Sequence, residues 1–296
     1  MKRNAIARIV LFSLIALILT GILVTGLLFR QFAFNSDFPD IFHNSGTVSS
    51  TGSVSAADIA NISIEWPSGT IRIQPGDVDR ITFAETETGK ERQQMVWSQD
   101  GNTLNLHFSE ESFSFLSFGF STTISKDLVI TVPRNWQCEE LSISVASADV
   151  TVEDMTINEV DFDGASGVCV FENSIVNELS VDTASGNIHF TGTLDVLDCD
   201  AASADCVIQV TNVPSRIDLD SASGDLELIL PEYAGFSVSL DALSGDFTSD
   251  FPTTVSGGCY VYGNGSCRID VDAMSGEVNI RKAVTEPNPT IPGNTF

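Results

Sequence analysis

Between residues 139 and 280, apolar and polar side chains alternate in one pattern that recurs seven times, each time around Ser-Gly or Ser-Ala. The serines are Ser147, Ser166, Ser185, Ser203, Ser223, Ser244 and Ser275. Six and four residues before them stand apolar side chains, from Leu141 and Ile143 in the first copy to Ile269 and Val271 in the last. Three and five residues after them the pattern resumes, from Val150 and Val152 to Val278 and Ile280, with Ser249 the exception. Side chains two apart share one face of a strand, so each copy predicts strand, tight corner, strand. Glycine suits the corner because it adopts positive φ without strain. Two residues before the serine the side chain is mostly small (Gly164, Thr183, Ala201, Ser221, Ala242, Ala273), as an inward site at a sharp bend requires.

Successive serines lie 19, 19, 18, 20, 21 and 31 residues apart. One residue type at one offset, with a period near 20, predicts a solenoid whose coils bury their apolar rows by stacking. The expected fold class is all-β, a parallel β-helix-like solenoid of about 19–21-residue coils. A β-sandwich of regular hairpins is the alternative, but it demands alternation without such a register. An eighth copy around Ser68-Gly69 carries Ile62, Ile64, Trp66, Ile71 and Ile73. It predicts a first coil at 58–75, then inserted strands at 76–135, then the repeat coils at 139–280. Within the insertion, residues 81–87, 94–99, 103–108 and 127–132 alternate as strands, and Asp100-Gly101 marks a hairpin turn. Residues 113–120, Phe-Ser-Phe-Leu-Ser-Phe-Gly-Phe, predict a buried strand. The long gap before Ser275 holds Gly257-Gly258 and Gly263-Asn264-Gly265, which predict a projecting hairpin or an irregular coil.

Upstream, residues 9–29 carry no charge and are rich in Leu and Ile. At about 1.5 Å per residue they span a hydrocarbon core of about 30 Å. Lys2, Arg3 and Arg8 precede them, so the N-terminus is expected in the cytoplasm and everything after Arg30 outside. A cleaved signal peptide is the competing expectation, although no Ala-x-Ala site follows closely. The chain thus divides into a basic N-terminus (1–8), one transmembrane helix (9–29), a Ser- and Gly-rich linker (30–57), the solenoid (58–281) and a disordered tail (282–296). The expected location is the cell membrane, single-pass, with the C-terminal domain outside the cytoplasm.

Charge sharpens the choice of partner. The chain carries −26, and residues 139–280 hold 26 Asp and Glu against only Arg216 and Arg268. Phosphate binding needs clustered Lys and Arg, so nucleic acid is excluded. Apart from the membrane, expected partners are an envelope protein, a cell-wall component or a cationic peptide. Three residues before the serines stand Asp163, Asp182, Asp200, Asp220, Asp241 and Asp272, at offsets that face solvent. Like charges opposite one another destabilise a sheet. This row is therefore a candidate ladder for Ca²⁺ or Mg²⁺, which favour oxygen ligands. The competing reading is that each carboxylate accepts hydrogen bonds from the corner backbone.

The six cysteines contain no C-x-x-C motif, which disfavours zinc. Cys199 and Cys206 face inward on the two strands of one corner, and Cys259 and Cys267 flank the Gly-Asn-Gly turn, so each pair is a candidate disulfide. Buried free thiols are the alternative for the first pair. No catalytic residue stands out: His189 points outward, Arg216 and Arg268 stand isolated, and the carboxylates are too many for one pair to be singled out.

An N-terminal apolar helix, a first Ser-Gly coil, an insertion ending in Val132-Pro133, and repeats of the Asp-x-x-Ser-Gly-Asp kind resemble the bacterial "putative-adhesin" β-strand-repeat family over about residues 58–281. That resemblance implies a parallel β-helix-like domain of unknown function on the outer face of a cytoplasmic membrane. Members are common in Gram-positive bacteria and sometimes linked to envelope-stress systems, and no active site carries over. The function expected is a non-enzymatic adhesion, scaffold or envelope-sensing module. An acidic module for divalent cations or cationic peptides is the first alternative, and a carbohydrate-active β-helix enzyme the second.

Overall fold

The computed structural model describes residues 47–86, 94–108 and 125–283. The helix expected at 9–29, the apolar stretch 113–120 and the tail beyond 283 lie outside the described residues. Among the described residues no helix is long and apolar enough to cross a membrane.

In chain order the strands are β1 (Thr47–Val48), β2 (Thr51–Ser55), β3 (Asn61–Glu65), β4 (Ser68–Gly76), β5 (Arg80–Glu85), β6 (Val96–Asp100), β7 (Thr103–His107), β8 (Lys126–Pro133), β9 (Cys138–Val145) and β10 (Ser147–Glu153). They continue as β11 (Thr156–Gly164), β12 (Val168–Val210), β13 (Arg216–Ser223), β14 (Leu226–Leu230), β15 (Phe236–Ser244), β16 (Phe247–Ser249), β17 (Thr254–Ser256), β18 (Cys259–Tyr262), β19 (Cys267–Ser275) and β20 (Val278–Lys282). The long β12 is continuous strand that bends through two successive Ser corners, at Ser185 and Ser203. Strands before the corners stack in parallel as one wall and strands after them as a second. Register is kept from level to level: Ser147 lies on Ser68, Val160 on Leu141, Phe162 beside Val181, and Ser203 beside Ser223.

The inward rows form one core. Leu141, Val160, Leu179, Leu197, Ile217, Val238 and Ile269 are all 1 % exposed or less. The first coil behaves alike, with Ile62, Ile64, Trp66, Ile71 and Ile73 buried. Three inward positions, Leu240, Phe247 and Ser249, are only half-buried, and all belong to the Ser244 coil. The reason is spatial order. β13 pairs with β19, and β19 pairs in turn with β15, so the last coil in sequence sits between the Ser223 and Ser244 coils. Post-corner strands follow suit, β14 pairing with β20 and β20 with β16. The Ser244 coil is therefore the last parallel level, with no further parallel coil beyond it among the described residues, and the coils do not stack in their sequence order.

Gly235 makes this order possible. Chain leaving β18, which runs antiparallel along one edge of β15, crosses over the start of β15 and returns as β19 along the other edge, with Phe236 opposite both Tyr262 and Cys267. The crossing is made by Gly263-Asn264-Gly265, whose glycines have φ of 61° and 65°. A Cβ on Gly235 would lie 2.0 Å from Asn264 Oδ1 and 2.8 Å from its backbone nitrogen. Gly263–Gly265 is thus a crossover and not the hairpin the sequence suggests. The hairpin lies just before it, β17 to β18, turning at Gly257-Gly258.

At the other end the expected insertion turns out to extend the solenoid. β7 pairs in parallel with β3 and β8 with β4, so Leu104, Leu106, Leu128 and Ile130 continue the four inward rows by a further level. Beyond it the walls change to antiparallel pairing, β8–β5–β2 on one and β7–β6–β1 on the other. The Asp100-Gly101 turn joins β6 to β7 as expected. In this level Lys126 occupies the position of a corner glycine, opposite Gly69. Its ammonium is wholly buried against the Glu85 carboxylate, donates to Phe108 O, and sits 4.0 Å and 4.8 Å from the ring centres of Phe108 and Trp66. Burial pulls the Lys126 pKa down, and Glu85 opposes that. A buried charge this costly to desolvate is held by a partner carboxylate and two ring faces.

Candidate functional site

Ser-Gly corners bend so tightly that successive levels touch backbone to backbone. Gly167 has φ 127°, and a Cβ there would meet Ala148 O at 2.4 Å, so the corner excludes a side chain. The corner serines contribute too: Ser166 Oγ donates to Ala146 O at 3.2 Å, and Ser147 and Ser185 make longer bonds to Pro67 O and Ala165 O. Two residues further on, the corner carboxylates form a backbone-capping ladder. Asp149 Oδ1 accepts Val168 N at 2.9 Å, Asp205 Oδ1 accepts Asp225 N at 3.1 Å, and Asp225 Oδ1 accepts Glu277 N at 2.8 Å. These three N–H groups at the bend gain a side-chain acceptor from a neighbouring level, while Asn187 N bonds Gly167 O instead. Along this edge the corners of four levels line an open trough of about 470 Å³, flanked by Asp205, Asp225, Asp246 and Glu277.

The outer face of the first wall is different. Asp163, Asp182, Asp200, Asp220, Asp272 and Asp241 run along it in register, and none of the six finds a hydrogen-bond donor among the described residues. Backbone acceptance, the competing reading for this row, belongs to the row across the corner instead. Neighbours within the row are about 4.8 Å apart, the strand spacing. Asp161, Asp198, Asp218 and Asp270 form a second row two residues earlier, and Glu140, Glu159 and Glu178 a third. Strand parity puts these acids on the same outer face once the first row is placed, with Ser180 interrupting the second, yet only the first was singled out from sequence.

Arg216 and Arg268 are not isolated. Insertion of the last coil sets them side by side, 52 positions apart in sequence and directly paired in register. Arg216 reaches Asp218 at 2.5 Å and Asp198 at 3.7 Å, and Arg268 reaches Asp270 at 2.5 Å. The other oxygen of Asp218 is buried with no partner.

Crowding and partial burial raise five acids of this wall. Asp220 is pushed up to about 6, chiefly by desolvation and then by Asp272, Asp200, Asp198 and Asp218. Asp163, Asp200 and Asp272 shift upward for the same reasons, while Glu159 is raised first by Asp161. The carboxylates stand in lines and do not converge: no three His, Cys, Asp or Glu side chains among the described residues are placed to hold one metal ion. His189 is half-buried on the outer face of the second wall. What this arrangement does chemically is present a long, flat negative field.

All six cysteines are free. Cys199 and Cys206 face one another inside the coil with sulfurs 3.9 Å apart. Cys259 and Cys267 do not meet, because their strands β18 and β19 flank β15 on opposite edges, two strand spacings or about 9.6 Å apart. A disulfide needs Cα atoms within about 7 Å, so the second expected pair is corrected.

Several solved structures follow a similar chain path. A "putative cell adhesion protein" from Clostridium sporogenes is 12 % identical, covers 81 % of this chain and 100 % of its own, with TM-score 0.37. A "putative adhesin" from Bacteroides fragilis is 13 % identical over 77 % and 95 %, with TM-score 0.42. A "putative lipid binding protein" from Parabacteroides distasonis is 13 % identical over 79 % and 96 %, with TM-score 0.38. Identities and scores this low carry no inference about what this chain binds. No curated protein matches the chain. Residues 59–281, which span the parallel levels described above to within one residue of their end, match the Toastrack DUF4097 family, and the chain belongs to that family.

Proposed function

We propose that the protein is a membrane-anchored, extracytoplasmic, non-enzymatic adhesion or scaffold module that presents its acidic wall to cationic surfaces or peptides of the cell envelope. The observation that carries this is the wall itself: one unbroken registered row of six aspartates flanked by further Asp and Glu residues on the same face, with Arg216 and Arg268 already paired to its acids. A flat field of one sign gathers oppositely charged partners and steers their approach. Anchoring rests on the uncharged run at 9–29 and its basic flank. Domain limits follow the same division, with the surface module at 58–281. Divalent cations are a weaker fit, since lines of carboxylates at strand spacing supply one or two ligands per site where Ca²⁺ takes six to eight.

The full chain in detergent micelles is passed over immobilised polylysine at rising salt. Retention that is lost between about 50 and 500 mM NaCl, and weakened by the combined Asp163→Asn, Asp182→Asn, Asp200→Asn and Asp220→Asn variant, is expected. Equal retention of the variant removes the acidic wall from the function. Separately, protease added to intact protoplasts is expected to remove the solenoid, and protection there overturns the outward topology.

A further inference from the structure

We infer that Cys199 and Cys206 are a disulfide-forming pair that staples the two walls of the Ser203 coil across its corner. In every coil the residues four before and three after the serine face each other across the narrow inside of the bend. Elsewhere these two positions hold buried apolar residues, such as Ile143 and Val150, Val181 and Ile188, and Leu219 and Leu226. Only the Ser203 coil has a thiol at both positions. Their sulfurs are 3.9 Å apart and both side chains are fully buried. A bond of about 2.05 Å is within reach of small side-chain rotations from that separation.

No other thiol competes. Cys169 shares the row of Cys206 but stands two levels away, about 9.6 Å by strand spacing, and Cys138, Cys259 and Cys267 lie on other strands. This corner is also one of the two in which alanine replaces glycine, at Ala204, and it carries Asp200 and Asp205 immediately beside the two cysteines. The staple therefore fixes one corner of the acidic edge.

The bond forms by thiol–disulfide exchange. The two thiols give up two electrons and two protons, and a small-molecule or protein disulfide accepts them and is cleaved to two thiols. Within the folded coil the Cys199 thiol is held protonated by its bond to Cys206 and by burial. Exchange needs an attacking thiolate and access to the oxidant, and both side chains are fully buried once the coil has folded, so the bond is placed during folding.

The test uses the full chain, reduced and unfolded in urea, then refolded in a buffer of oxidised and reduced glutathione. This supplies the oxidant directly, so the outcome is independent of the topology proposed above. Free thiols are trapped with one isotope-coded alkylating reagent and those released by reduction with another, then located by mass spectrometry. The expected result is a cystine joining Cys199 to Cys206, and a urea midpoint that falls on adding dithiothreitol. The Cys199→Ala/Cys206→Ala variant, refolded alike, is expected to show a midpoint that reductant leaves unchanged. Recovery of both cysteines as thiols or glutathione adducts, or a cystine from either to another residue, overturns the pairing. A wild-type midpoint insensitive to reductant overturns the staple.

Discussion

Asp220 shows how a single carboxylate records the stacking around it. Its acid is pushed up to about 6 because desolvation and four neighbouring aspartates disfavour the charge. In an unfolded chain an aspartate titrates near 3.9. Between about pH 4 and pH 6 the native state therefore holds protons that the unfolded state has released, so stability falls as pH rises through this window and rises as pH drops. Asp163, Asp200 and Asp272 shift the same way and add to the trend. The urea midpoint of the full chain is expected to be higher at pH 5 than at pH 7. Asp220→Asn should raise the midpoint at pH 7 and narrow that difference. A midpoint that climbs from pH 5 to pH 7, or an Asn variant weaker at pH 7, would contradict the crowding described for this row.

Among the elements, β15 is unusual in being clasped between β18 and β19 by one crossing loop. Gly235 is where that loop passes, and the space above its Cα is filled by Asn264. Gly235→Val must push the backbone of the loop outward, a change of the kind that costs about 1–3 kcal/mol. The consequence should be local, since each level contacts only its neighbours. Hydrogen exchange is the measurement: amides of β19 and β20 are expected to lose protection while those of β9 to β11 keep theirs. Uniform loss along the chain, or none, would show that the crossing does not hold the last coil in place. Aromatic cover at this end supports the same view. Phe236 packs against Phe251 and Tyr262, and Phe247 stacks on Tyr260 at 4.2 Å, so rings from the hairpin region shield the terminal level.

For the solenoid as a whole, negative charge works against the stacking that buries its core. Most of the chain's −26 lies in residues 139–280, and rows repeat at about 4.8 Å, inside a Debye length of about 10 Å at 0.1 M salt. Raising NaCl from about 10 to 500 mM is expected to raise the thermal midpoint of the wild type. The four-fold Asp→Asn variant of the first row should gain less. If both gain equally, the effect is general to salt and not due to the wall. Antiparallel strands close the first end through β5, β2, β6 and β1, and β18 with β17 covers the edge of β15 at the other. These coverings leave short outermost strands, which limits pairing with other chains.

Inside and outside were written in the sequence, because alternation along a strand is local and a corner serine resets its phase. Thus Val160, Phe171, Val181 and Phe190 are buried where their offsets placed them, and Asp163, Asp182 and Asp220 lie on the outer face. That Cys199 and Cys206 face one another across one corner was readable for the same reason. Order along the stack was not. The coils carry nearly the same inward rows, so almost any coil fits against any other, and only Ser249, a polar residue in an inward row, marks the Ser244 coil as different from the Ser275 coil. Connectivity settled it, through the Gly235 crossing that carries β19 between β13 and β15. The level made by β7 and β8 escaped notice because Lys126 stands where a corner glycine would mark it. Arg216 meeting Arg268, Asp220 meeting Asp272, and Cys259 being held away from Cys267 all follow from that single tertiary decision, since strand pairing between distant segments depends on the path of the chain and not on the pattern within each strand.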